Sequence, residues 1–92
     1  MIIYNNIEDK PPLTGREINM WDHTGWGDAI YWADYEAGRM HGHLQEKPKK
    51  GDVINCKMQS KQIGQFVVIK TKYMPDPPDQ FFCTVSWFGY KQ

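Results

Sequence analysis

Long apolar runs are missing from this chain of 92 residues, and no stretch reaches the roughly 18 residues that a membrane-spanning helix requires. The opening Met1-Ile2-Ile3-Tyr4-Asn5-Asn6-Ile7-Glu8-Asp9 lacks a basic start, an apolar centre and a small-residue cleavage site, so it does not read as a signal peptide. Net charge is absent too, because 11 basic residues offset 11 acidic ones. Duplex DNA binders carry a basic stripe that releases counterions from phosphates, and DNA mimics need an acidic excess. Both classes lose ground here, while self-association meets little repulsion.

Cysteine is scarce. Cys56 and Cys83 stand far apart in apolar runs, where a thiol behaves as a small buried hydrophobe. That pattern, with no membrane segment, points to a cytoplasmic setting and no disulfide framework. Catalytic motifs are also lacking. Ser60 and Ser86 have no nucleophile-elbow context, and there is no Gly-x-x-x-x-Gly-Lys-Ser/Thr phosphate loop. A non-enzymatic chain is expected, with no catalytic residues, no cofactor and no metal.

What the chain does have is aromatic side chains: 4 Trp, 5 Tyr and 4 Phe. Each can bury about 150–250 Å², enough to support a single domain over 1–92. The order of apolar and turn residues predicts a mainly β fold, a small antiparallel barrel or sandwich of five to six strands. Strands are expected at 2–7, at 28–36 and 39–45 as a hairpin about Ala37-Gly38, at 53–58, 65–74 and 81–90. Thr14 and Glu17 have capping-box spacing, which allows one short helix from about Gly15 to Trp21. Pro75-Asp76-Pro77-Pro78-Asp79 reads as a stiff exposed loop, because proline withholds backbone donors. In the strand at 65–74, strict alternation sets Val67, Ile69, Thr71 and Tyr73 against Lys70 and Lys72.

Alternation also puts aromatics on both faces of the same strands. Phe81 and Trp87 oppose Phe82 and Phe88, and Tyr31 and Tyr35 oppose Ile30 and Trp32. Core packing accounts for most of them, but a surplus remains that needs a partner. Trp26, Trp32, Phe82 and Phe88 are the candidate contact residues for a protein partner or a second copy of the chain.

His41 and His43 share one strand face with Arg39. A solvated polar face is the ordinary explanation. The functional alternative is anion binding, with Arg39, His41 and His43 holding the phosphate of a small molecule or nucleotide while an aromatic ring stacks on its base. Two more alternatives remain. Lys47, Lys49, Lys50, Lys70 and Lys72 could meet the phosphates of single-stranded nucleic acid on a barrel face. His41 and His43, with His23, Asp22 or Asp28 as a third ligand, could hold a metal in a small enzyme.

The run Lys47-Pro48-Lys49-Lys50-Gly51-Asp52-Val53-Ile54, followed by a β-rich remainder, resembles the loop-to-strand entry of SH3-like and related small barrels. In its brevity and aromatic richness the chain is similar to small proteins encoded by bacteriophages. That resemblance implies an inhibitor or sequestering protein acting on a host factor in the host cytoplasm.

Overall fold

The computed structural model describes residues 11–25, 27–73 and 80–91. The strand expected at 2–7, the proline loop at 75–79 and Trp26 lie outside them. Seven strands form one mixed sheet curled into a half-barrel: β1 (Glu17–Asn19), β2 (Thr24–Gly25), β3 (Asp28–Asp34), β4 (Arg39–His43), β5 (Val53–Lys57), β6 (Ile63–Tyr73) and β7 (Gln80–Tyr90). Their order in the sheet is β1-β5-β6-β7-β4-β3-β2. All neighbours run antiparallel except β1 and β5, which are parallel.

The mainly β fold expected from patterning is therefore present, with more strands than the five to six expected. The additional elements are β1 and β2, with three and two residues, too short to show any periodicity. Where a helix over Gly15–Trp21 was allowed, the chain instead makes β1 and a single 3₁₀ turn at Met20–Asp22. The Thr14 hydroxyl does accept the Arg16 N–H at 3.1 Å, but it also donates to the Asp52 carboxylate. Tertiary anchoring of Thr14 has replaced the helix cap.

Asp52 is the hub of that anchor. It is buried, and its carboxylate accepts from the Lys49 N–H at 2.8 Å and from Arg16 Nη1 at 3.2 Å. This ties the segment before β1 to the turn before β5, and the Val53 N–H at the start of β5 donates to the Arg16 carbonyl at 3.0 Å. Gly51 lies in the left-handed region at φ 95°, and a Cβ there would sit 2.3 Å from the Pro12 carbonyl oxygen. Only glycine fits that crossing. Beyond it, Asn55 is buried and donates to Glu17 at 2.9 Å and to Asn19 at 2.8 Å, while Gln65 donates to Asn55 at 3.0 Å. Hydrogen bonding from Asn55 first, then from Lys91, holds the Glu17 carboxyl below its usual pKa.

The core fills the inside of the curl. Ile18, Ile30, Met40, Leu44, Ile54, Cys56, Phe66, Val68, Phe81, Cys83 and Val85 meet there, with Met20, Trp32, Met58 and Trp87 packed against them. Burying each large aliphatic or aromatic side chain stabilises the fold by about 1.5–3 kcal/mol. An edge-to-face series of rings, Tyr35–Trp32–Phe66–Trp87–Tyr90, lines one end of the curl at centroid distances of 4.7 to 5.3 Å.

Two register shifts between β6 and β7 set which of their side chains face outward. Ile69 is an additional residue between the pairs Val68↔Val85 and Lys70↔Thr84. Strict alternation would keep Val67 on the face of Thr71 and Tyr73; the bulge reverses the parity, so Phe66 and Val68 face the core and Thr71 and Tyr73 fall beside Cys83 and Phe81. Phe88 is the extra residue of the second shift, between Trp87 and Gly89.

Candidate functional site

The site lies on the outer face of β3, β4, β7 and β6, and β4 is its axis. Met40, Gly42 and Leu44 are buried, while Arg39, His41 and His43 alternate with them. Gly42 lets β3 come close, because a Cβ on it would stand 2.2 Å from the Ala29 carbonyl oxygen. The register then aligns Tyr31 with His41, His41 with Phe82, and Phe82 with Lys72. The next row aligns Arg39 with Thr84 and Thr84 with Lys70. Four strands thus build one mixed aromatic and cationic surface.

His41 is fixed from both ends. Its Nδ1 is 2.6 Å from the Tyr31 hydroxyl, and its Nε2 is 2.8 Å from the Gln80 side-chain nitrogen. An amide N–H donated by Gln80 requires Nε2 to be the acceptor, which leaves the Nδ1 proton to point at the Tyr31 oxygen. Partial burial, and then the neighbouring His43, lower the His41 pKa, in keeping with this neutral tautomer. The imidazole lies nearly parallel to the Phe82 ring, with centroids 4.3 Å apart and planes 14° apart. Tyr31 meets it edge-on at 86°.

Beside Phe82, on its β6 side, is a depression of about 440 Å³ bounded by Arg39, Lys70, Lys72, Phe82 and Thr84. Three cationic side chains border it, and none of the described residues lining it is acidic. Asp34 pairs with Arg39 across β3 and β4, but its carboxylate accepts the Ala37 N–H at 3.1 Å and so caps the turn. The acidic side chains Glu17, Asp22, Asp28 and Glu46 border a different depression, together with Arg16 and His23. Among the described residues, a neutral total therefore hides a segregated distribution.

The structure brings Arg39, His41 and Phe82 together and shares His43 on the same face of β4. It separates the other aromatic candidates. Trp32 packs inward, its ring 5.0 Å from Phe66, because it shares the parity of Ile30. Phe88 is exposed at the bulge of β7. Of the lysines considered for nucleic acid, Lys70 and Lys72 join the site, whereas the Lys47 ammonium lies 5.5 Å from the Tyr73 ring centroid. His23 hydrogen-bonds Asp28 at 2.8 Å, and no three His, Cys, Asp or Glu side chains among the described residues are placed to share a metal ion.

Sequence reasoning did not find Gln80, Thr84 or the platform role of His41. Their signal was parity alone, since Gln80, Phe82 and Thr84 alternate on β7, but pairing them with β4 requires the register. No family model, curated protein or solved structure matches this chain. No helix among the described residues is long and apolar enough to cross a membrane.

Proposed function

We propose that this is a non-enzymatic binding protein that holds a phosphate-bearing ligand on the outer face of the half-barrel. One observation carries the reading: Arg39 of β4 and Lys70 and Lys72 of β6 border one depression whose lining, among the described residues, contains no carboxylate. Arginine offers a planar fork of donors, lysine a mobile point charge, and Thr84 a hydroxyl donor, which together suit phosphate oxygens. Gathering three like charges costs stability unless an anion is bound, so a ligand relieves the repulsion. A reducing compartment such as the cytoplasm fits the two free, buried thiols.

Thermal melts with pyrophosphate, sugar phosphates and nucleotides at low salt test the reading. A ligand present at about 100 times its Kd stabilises the fold by about 2.7 kcal/mol. The shift is expected to shrink as salt screens the site and to disappear in Arg39→Ala and Lys70→Glu. No shift with any of these ligands, or shifts that both variants retain, would end the proposal.

A protein partner on this face is the second reading, favoured by Tyr31 at 45% and Phe82 at 37% exposure. In that case purified protein would sediment as an oligomer, or copurify with a partner, and Phe82→Ser would release it. A strict monomer that captures nothing removes this reading.

A further inference from the structure

The phosphate reading leaves the apolar part of the depression without a purpose, and among the described residues lining it Phe82 supplies the one aromatic ring. Phe82 has one face stacked on His41, which stands on β4, and turns the other toward β6, where Lys70 and Lys72 rise beside the depression. The ring is held upright without any ligand. His41 supports it from behind, and Tyr31 and Gln80 lock His41 by hydrogen bonds at 2.6 and 2.8 Å. A rigid ring face beside three cations is suited to a planar π-system that carries an anionic tail.

We infer that the ligand is a mononucleotide whose base stacks on the β6-facing side of Phe82 while Arg39, Lys70 and Thr84 hold its phosphate. This rests on the phosphate-binding reading and narrows it. Lys72 lies directly across from Phe82, and its long stem can bend along the outer edge of the base while its ammonium reaches the phosphate or the base face. His41, which the sequence placed among the anion holders, becomes the back of the stacking platform.

The same geometry favours one base over a strand of them. Binding single strands without sequence preference uses a succession of ring faces, one for each base. Here His41 covers the other face of Phe82, and Tyr31 stands edge-on behind His41. The next outward positions along β7 are Gln80 and Thr84, neither of them aromatic. The depression, at about 440 Å³, lies within the range of small-molecule sites.

Calorimetric titration at low salt with thymidine monophosphate, deoxyribose 5-phosphate and a thymidine oligomer of about twelve nucleotides decides the matter. The nucleotide is expected to bind about 5- to 150-fold more tightly than the sugar phosphate, the ratio that base–aromatic stacking supplies. Phe82→Leu should bring the two to equal affinity, while Phe82→Tyr should keep the preference. Phe82 is exposed enough for both variants to fold, and circular dichroism melts check this. Equal affinity of the two small ligands for the wild-type protein overturns the inference while leaving phosphate binding intact. Tighter binding of the oligomer per nucleotide also overturns it, in favour of a strand-binding face. If none of the three binds, the phosphate reading falls as well.

Discussion

Replacing Asp52 with alanine tests how β1 and β5, neighbours in the sheet but distant in sequence, are held in register. The buried carboxylate accepts from the Thr14 hydroxyl, the Lys49 N–H and Arg16 Nη1, so alanine removes three hydrogen bonds to a charged group. Each such bond contributes about 1.5–3 kcal/mol, though the three share one acceptor and do not add fully. Breaking a buried ion pair costs about 3–5 kcal/mol when the remaining charge is stranded. Arg16 is not stranded, because its side chain is 28% exposed and still donates to the carbonyls of Glu46 at 2.7 Å and Lys47 at 3.1 Å. The low end of that range applies, about 3 kcal/mol, which lowers Tm by about 12–24 °C in a domain of this size. Asp52→Asn keeps the volume and one acceptor oxygen, and should lose about half as much. Urea unfolding of both variants, with Arg16→Met and the double variant to complete a cycle, measures these terms. A loss below about 1 kcal/mol for Asp52→Ala, or strictly additive effects with Arg16→Met, would refute the account of Asp52 as an anchor.

Two further outcomes follow from backbone crowding and from burial. Gly42→Ala would place a methyl group 2.2 Å from the Ala29 carbonyl oxygen, so β3 must move away from β4. A loss of about 1–3 kcal/mol is expected, together with weaker ligand binding as the Tyr31–His41 bond is pulled apart; unchanged melting would show that β3 is not held where it is described. The Cys56 and Cys83 thiols are each pushed up by burial from an ordinary 9.0 to about 12. Folded protein should therefore resist thiol reagents until it is denatured. Between about pH 9 and 12 the unfolded chain releases thiol protons that the folded chain retains, so stability should fall as pH rises through that window. Rapid labelling of both thiols in native protein at neutral pH would contradict the burial.

Much of the fold was legible because the strands that carry it alternate strongly. Val53 to Lys57 and Phe81 to Trp87 show period-two patterning, and the structure places Ile54 and Cys56 with Phe81, Cys83 and Val85 in one core. The hairpin about Ala37-Gly38 was announced by its turn residues. What escaped was everything set by tertiary pairing. β1 forms because β5 offers it a parallel edge and Asp52 offers Thr14 a partner, and neither is visible in the run from Thr14 to Asn19. The bulge at Ile69 leaves no local mark, since Ile69 itself fits a strand as well as Val67 or Val68. For the candidate site, the residue types on β4 were readable from alternation, but the company they keep was not. Lys70, Lys72 and Thr84 reach Arg39 only through the pairing of three strands separated by up to 45 positions in sequence.

β1 and β2 are nearly consecutive in the chain yet occupy opposite edges of the sheet, joined by the turn at Met20–Asp22, which packs against both β5 and β3. This arrangement has a kinetic consequence. The hairpins β3–β4 and β6–β7 close short loops and can form early, but residues 17–25 can dock on β5 and β3 together only after the pairing of β4 with β7 has joined the two halves of the sheet. The strap should then be the last part to lock and the first to open. Its amides would exchange with solvent ahead of those of β6 and β7, and substitutions within it would speed unfolding while leaving the folding rate nearly unchanged.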